Sequence, residues 1–485
     1  MFCCLNVYTV RRLGFGFYFA NRNMASRTRV FDLFRTINIA SCQCPAHGYR
    51  GNFQVANAVP SKDYAFEIKC STVRYGLGVT REVGLDLVNL GAKNVCVMTD
   101  PNVAKLSPMK AVLESLVKNG IKYDVYDGVK VEPTDTSFKH AIDFVKSRDF
   151  DSFVAVGGGS VMDTCKAANL YYCDPEADFI DYVNAPIGKG KPVTVQLKPM
   201  IAIPTTSGTG SETTGMSVFD FEEIKSKTGI AHSALRPILA IIDPLHTLTV
   251  PKNVAIYSGF DIFCHALESF TAIPYTERGP APTNPALRPV YQGSNPISDV
   301  WSRFCLQVLK KYFKRSVTNS KDIEARSSMH LAATMAGVGI GNAGVHLCHG
   351  LAYPIAGNVG TYVPEDYGTE PMIPHGLAVV MTAPAVFRFT AASDPEKHLE
   401  AANLLGADIT GKKQADAGKI LSDTIIKYMD EMKIDNGLSG LGYKADDIPE
   451  LVKGALPQHR LLKIAPVQQS EEDLSRILEE SLTIY

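Results

Sequence analysis

The 485-residue chain carries almost no net charge: 49 Lys and Arg stand against 50 Asp and Glu. That balance offers no basic face for a nucleic acid partner. No run of eighteen apolar residues occurs, so no membrane span is predicted. Internal repeats and low-complexity tracts are also missing. Hydrophobic residues at 45% and charged residues at 20% exclude a disordered or fibrous chain. The eleven Cys form no framework of pairs, and Cys165, Cys264 and Cys348 fall inside apolar helical patterns. They read as reduced core residues of an intracellular compartment. Cys42-x-Cys44 has no second pair and is not read as a metal clip.

Acid is scarce at one end only. Residues 1–60 contain seven Arg, no Lys and a single acid, Asp32. An Arg-rich, acid-poor N-terminus is the signature of mitochondrial import, which places the mature protein in the matrix. A secretory signal is the rival, from the short apolar stretch Leu13–Ala20 after Arg11 and Arg12.

A chain this long exceeds one ordinary core. From about residue 68 short buried strands alternate with helices. Strands are predicted at 93–99, 123–126, 150–156, 199–203 and 238–242, with helices at 106–119 and 137–148. Such alternation implies a parallel sheet with helices on both faces. After about 245 helical periods dominate: 253–269, 298–315, 323–343, 395–405 and 415–432. Long loops interrupt them at 274–297 and 354–374. The expected fold class is therefore α/β followed by all-α. Its parts are a presequence (1–60), a parallel-sheet dinucleotide-binding domain (61–245) and a helical metal-binding domain (246–485).

Three polar elements point to a ligand in the first half. VAVGGGSVMD at 154–163 is a buried strand, then Gly157, Gly158, Gly159 and Ser160, then a helix. Glycines admit a phosphate close to the backbone, the helix N-terminus supplies N–H groups, and Ser160 is a candidate cap. Asp100 ends an earlier strand, where a carboxylate can meet ribose hydroxyls and repel a 2′-phosphate, which favours NAD over NADP. PTTSGTGSETT at 204–214 is crowded with hydroxyls. Each alone also suits a plain turn.

Asp261-x-x-x-His265 lies in the apolar helical run GFDIFCHALESF, so both side chains share one helix face. His346, His349 and His375 follow. One carboxylate with three imidazoles suits a borderline ion such as Fe²⁺ or Zn²⁺. Spacing alone leaves His346 and His349 both open as the third ligand.

GGGSVMD, PTTSGTGSE, GFDIFCHALES, CHGLAYPIAG and the later PHG, in this order and spacing, resemble the iron-containing alcohol dehydrogenase family over about residues 70–480. The resemblance implies that fold, with Asp261, His265, His349 and His375 as metal ligands and iron ahead of zinc. It implies NAD held by Asp100, Gly157–Ser160, Asp163, Thr205, Thr206 and Lys227. Two positions depart from the family pattern. Tyr353 stands four residues after His349, where many members carry a second His, and Glu132 stands where many carry Asn before Pro133. The extension, the insert RPVYQGSNPISDVW (288–301) and CHGLAYP look most like the branch that transfers hydride from a hydroxyacid to an oxoacid. Those members oxidise 4-hydroxybutyrate to succinate semialdehyde and reduce 2-oxoglutarate to 2-hydroxyglutarate. A conventional NAD-linked alcohol dehydrogenase is the alternative, and a dehydroquinate-synthase-type lyase lacks the PTTSGTGSE and PHG pattern. The side chains expected nearest the reacting groups are His349, Tyr353 and Arg288. Arg288 is chosen ahead of Arg278 because a guanidinium fork matches a carboxylate and donors follow it at Gln292 and Ser294. The expected partners are small hydroxyacids and oxoacids and further copies of the chain.

Deleting residues 1–60 is expected to leave an active enzyme stranded in the cytosol, as scored by cell fractionation. Unimpaired import of the truncated protein would refute the presequence reading.

Overall fold

The computed structural model describes residues 61–485. The presequence expectation for 1–60 lies outside the described residues. Strands β1 (Thr72–Tyr75), β2 (Asn94–Met98), β3 (Lys122–Tyr126), β4 (Ser152–Gly157), β5 (Met200–Pro204) and β8 (Leu239–Ile242) form one parallel sheet, ordered β1-β8-β5-β4-β2-β3. Parallel neighbours require crossovers, here provided by helices α1 (Val83–Asn89), α2 (Ser107–Lys118), α3 (Asp135–Lys146) and α4 (Gly159–Cys173). Period-two alternation sorts the strand side chains between two cores. Val95, Val97, Val154, Val156, Ile201 and Ile203 pack against α1 and α2. Cys96, Met98, Phe153, Ala155, Met200 and Ala202 pack against α3 and α4.

The strand order fixes where a ligand can enter. From β2 the chain steps outward to β3, then returns to lay β4 along the other side of β2. The crevice beyond the carboxyl ends at such a reversal is the usual ligand site of open parallel sheets. β2 runs into Asp100 there, and β4 ends at Gly157.

Two features went unforeseen. The edge strand β1 is only half-buried, so its sequence, TVRY, shows no apolar run. β6 (Met216–Phe221) and β7 (Ser226–Ala231) form an antiparallel hairpin. Its turn lacks the Asn-Gly type of signal, and Lys225 takes up the left-handed conformation instead, at φ 48°.

Helices dominate from residue 252: α5 (Lys252–Thr271), α6 (Pro296–Thr318), α7 (Ile323–Ile340), α8 (Leu347–Gly357) and α9 (His375–Thr390) lead the series. α8 therefore extends into the segment expected to be loop from 354. The segment His375–Ser393 is long and apolar enough to cross a membrane, but 78% of it is buried inside the protein, as befits a core helix. α9 meets α5 at unusually short range. A Cβ on Gly376 would lie 1.9 Å from the Tyr257 carbonyl oxygen and 3.2 Å from the Asp261 Cβ. Only glycine allows that approach, and the approach brings His375 to Asp261.

The segment entering β1 is strapped to the loops of the helical half. The Gln292 amide accepts from Glu67 N and donates to Glu67 O, both at 2.9 Å. Asn342 treats Lys69 the same way at 2.8 and 3.0 Å. Arg288 Nη1 bonds both Asp63 carboxylate oxygens, at 3.1 and 3.0 Å, and donates to Ala65 O at 2.8 Å. Arg288, expected at the substrate's acid group, is instead found paired with Asp63. Its charge is already matched by Asp63, and it lines neither cavity described below.

Arg288→Ala leaves the Asp63 carboxylate buried without its partner. It should cost about 3 kcal/mol in chemical denaturation while changing steady-state constants less than twofold. A KM increase confined to acidic substrates would return Arg288 to the substrate pocket.

Candidate active site

Asp261, His265 and Glu268 occupy one stripe of α5 at i, i+4 and i+7, all nearly inaccessible. His349 comes from the first turn of α8, and His375 is the first residue of α9. Three imidazole nitrogens surround a single carboxylate oxygen. His265, His349 and His375 Nε2 lie 3.3, 3.6 and 3.8 Å from Asp261 Oδ1. The His265 and His349 rings stack at 4.8 Å. Asp261 Oδ1 and His349 Nε2 are buried with no hydrogen-bond partner. Orphaned donor atoms converging on one point fit a divalent ion. Burial holds His265 down at about 4, against the pull of Asp261, and lowers His375 too, so both are neutral and able to coordinate.

Glu268 was not singled out from the sequence, although its place three residues after His265 on a buried apolar helix was the available signal. One of its oxygens accepts from the His346 and His349 backbone N–H groups at 2.9 and 3.3 Å, and the other meets His349 Nδ1. It thereby fixes the ring so that Nε2 faces Asp261. The same contacts separate the two histidines that spacing left open. His346 turns its Nε2 to Thr271 Oγ1 at 3.2 Å and stays out of the cluster, whereas His349 joins it.

A cleft of about 500 Å³ opens at the strand reversal and is lined by Asp100, Gly158, Gly159, Ser160, Thr205 and Thr206, reaching Asp261 and His375 at its far end. Asp100 Oδ1 accepts from Asn102 and Val103 N–H at 2.9 and 3.0 Å, so the residue shapes its own turn while lining the cleft. Gly157, Gly158 and Gly159 have negative φ, and their need is for space: a Cβ on Gly159 would lie 2.6 Å from the Thr209 side chain. Ser160 does not cap α4, contrary to expectation. It lies inside the first turn, and its Oγ accepts from Glu132 N at 3.3 Å. The helix start, without a side-chain cap, remains open toward the cleft. Asp163 is tied up by the protein: its two oxygens accept from Ser211 Oγ at 2.6 Å and Val218 N at 2.9 Å, joining α4 to the hairpin.

Behind the histidines lies a second cavity of about 120 Å³, walled by Lys227, His265, Tyr291, His349 and Tyr353. The two cavities share Glu132, Ser160, Thr209, Asp261 and His375. Lys227 borders this chamber and not the cleft, with its ammonium between Glu132 at 2.5 Å and Asp220 at 2.9 Å. Burial alone would lower its pKa, but those two carboxylates raise it above the ordinary lysine value. Glu132 stands in the left-handed region at φ 52°, where Asn is the commoner residue. The longer side chain lets it accept from His375 N at 3.1 Å as well as bind Lys227. Tyr353 packs beside His375, with ring centres 6.5 Å apart. Burial pushes its phenol up to about 12, against the pull of Arg460, so at neutral pH it is a neutral phenol able to donate a hydrogen bond.

Glu268→Gln keeps the shape but removes the charge that orients His349. Metal affinity, measured by chelator competition, should fall 10- to 100-fold with secondary structure unchanged. His375→Ala should abolish binding. Full metal occupancy in His375→Ala would break the assignment of this cluster.

Residues 70–244 match the model of the iron-containing alcohol dehydrogenase family, and residues 290–482 match its C-terminal counterpart. The chain is 59% identical to the mitochondrial hydroxyacid-oxoacid transhydrogenase of Rattus norvegicus over 465 residues, covering 95% of this chain and 99% of the relative. It is 58% identical to the Bos taurus protein of the same description, at 95% and 100% coverage. Among solved structures, 1,3-propanediol oxidoreductase superposes with a TM-score of 0.75 at 25% identity, covering 86% of this chain and all of that one. The mitochondrial location expected from the Arg-rich N-terminus agrees with that of these relatives. With this fold, this cluster and matches over both halves, the chain belongs to the iron-containing alcohol dehydrogenase family and is an oxidoreductase.

Proposed function

We propose that this enzyme is a hydroxyacid–oxoacid transhydrogenase. 4-Hydroxybutyrate loses a hydride from C4 and its hydroxyl proton, giving succinate semialdehyde. 2-Oxoglutarate gains a hydride at C2 and a proton on oxygen, giving 2-hydroxyglutarate. The observation that carries the reading is the meeting of two cavities at one cluster. The larger cleft has the lining of a dinucleotide site, and the chamber admits only a small substrate. Both end at Asp261 and His375. The named activity of relatives at 58–59% identity supports the substrate pair.

A divalent ion held by Asp261, His265, His349 and His375, iron ahead of zinc, supplies Lewis acidity that brings an alcohol's pKa toward neutrality, and NAD supplies the hydride carrier. The chain's own residues do the rest. Gly157–Ser160 and the open start of α4 receive phosphate, while Asp100, Thr205 and Thr206 line the remaining length of the cleft. Glu132 and Lys227 hold the wall between cleft and chamber. Ile340 and Val345 give the chamber an apolar side. We assign the cofactor lobe to 61–245 and the metal lobe to 246–485.

The test uses 4-hydroxybutyrate deuterated at C4, with 2-oxoglutarate and no added nicotinamide. Deuterium should appear at C2 of 2-hydroxyglutarate, in step with succinate semialdehyde, without NADH building up in solution. One free NADH released per alcohol oxidised would make the protein a conventional dehydrogenase.

A further inference from the structure

Both proposed substrates place a carboxylate three C–C bonds from the reacting carbon: C1 relative to C4 in 4-hydroxybutyrate, C5 relative to C2 in 2-oxoglutarate. A single anion subsite at one distance from the metal cluster would serve both half-reactions. With Arg288 committed to Asp63, a different cation must do this. Of the nearby lysines, Lys227 at the chamber is tied to Glu132 and Asp220, and buried Lys166, outside the chamber lining, to Asp163 at 3.5 Å and to the Ser211 hydroxyl.

Arg460 is the exception. It lies in a short helical turn, His459–Leu462, partly buried behind the chamber wall. Its guanidinium lies over the Tyr291 ring at 4.7 Å and reaches Met216 Sδ at 3.6 Å, and the Tyr291 and Tyr353 phenols help hold its charge. All three of those residues line the chamber. Among the described residues no carboxylate pairs with Arg460. A guanidinium drawn into the protein without a counter-ion is half of an ion pair. Tyr291 belongs to the Pro-rich insert at 288–301. It is pressed into place by Gly344, where a Cβ would lie 2.8 Å from its ring.

We propose that Arg460, with the phenols of Tyr291 and Tyr353, forms the subsite that binds the distal carboxylate of both the hydroxyacid and the oxoacid. The phenols donate from the wall, and the guanidinium behind them supplies the charge. Tyr353 thus takes a substrate-binding role at the position where many family members carry a histidine.

This rests on the transhydrogenase reading, and the experiment separates the two. The readout is the ratio of kcat/KM for 4-hydroxybutyrate to that for 1-butanol, an uncharged alcohol of equal length. Arg460→Gln should lower the ratio roughly 10- to 100-fold, mainly through KM for the acid. Arg460→Lys should recover part of it, and Tyr353→Phe should lower it less. Glutarate, a dicarboxylate with no hydroxyl to present to the metal cluster, should lose calorimetric affinity in the same order. If Arg460→Gln does not fold, the Lys and Tyr353→Phe variants decide by the same ratio. An acid preference that is strong in the wild type and undiminished in the variants overturns the subsite alone. A wild type with no acid preference overturns the subsite and the transhydrogenase reading together.

Discussion

Three imidazoles close on one buried carboxylate oxygen at Asp261, and every other feature of the site takes its position from that meeting. A carboxylate so deeply buried costs several kcal/mol unless charge and hydrogen bonds compensate it. Here the groups that surround it come from three separate helices. α5 supplies the oxygen and one ring, while α8 and α9 each deliver another. Gly376 makes the convergence possible by letting α9 come within touching distance of the α5 backbone. Glu268 then locks the ring of His349 from the opposite side.

The cluster also divides the interior into two cavities with different chemistry. On the sheet side, glycines, hydroxyls and an uncapped helix start face the cleft created by the strand reversal. On the helical side, tyrosines and aliphatic side chains enclose a much smaller space. Glu132 links the two halves physically, accepting from His375 N, binding Lys227 and holding a strained backbone while doing so. A shift of either half would disturb those bonds, so cofactor side and metal side are coupled through one residue.

The arginines show how a sequence can suggest a chemistry without showing which residue is free to supply it. Arg288 sits in a Pro-rich loop with donors close by, which resembles an anion cradle. Its actual partner, Asp63, lies 225 positions earlier and has no local signature. Arg460 has no motif around it, yet folding places it against three chamber residues drawn from β6, the insert and α8.

The sequence by itself determined the α/β-then-helical order, most helix and strand positions, the glycine turn and the Asp261–His265 pair. These depend on period, turn chemistry and i, i+4 geometry, all local properties written in consecutive residues. It also pointed to His375 through the PHG motif. The family resemblance pointed to His349 ahead of His346, and the tertiary structure supplies the physical reason: Glu268 orients the His349 ring toward Asp261 while His346 turns to Thr271. Only the tertiary structure recruited Glu268, placed Lys227 behind Glu132, paired Arg288 with Asp63 and set Arg460 behind the chamber wall. β1 and the β6–β7 hairpin also escaped the sequence, the first because an edge strand buries little and the second because a lysine makes its turn. What the chain could not announce in advance were contacts between residues hundreds of positions apart, since their partners exist only once the helices have packed.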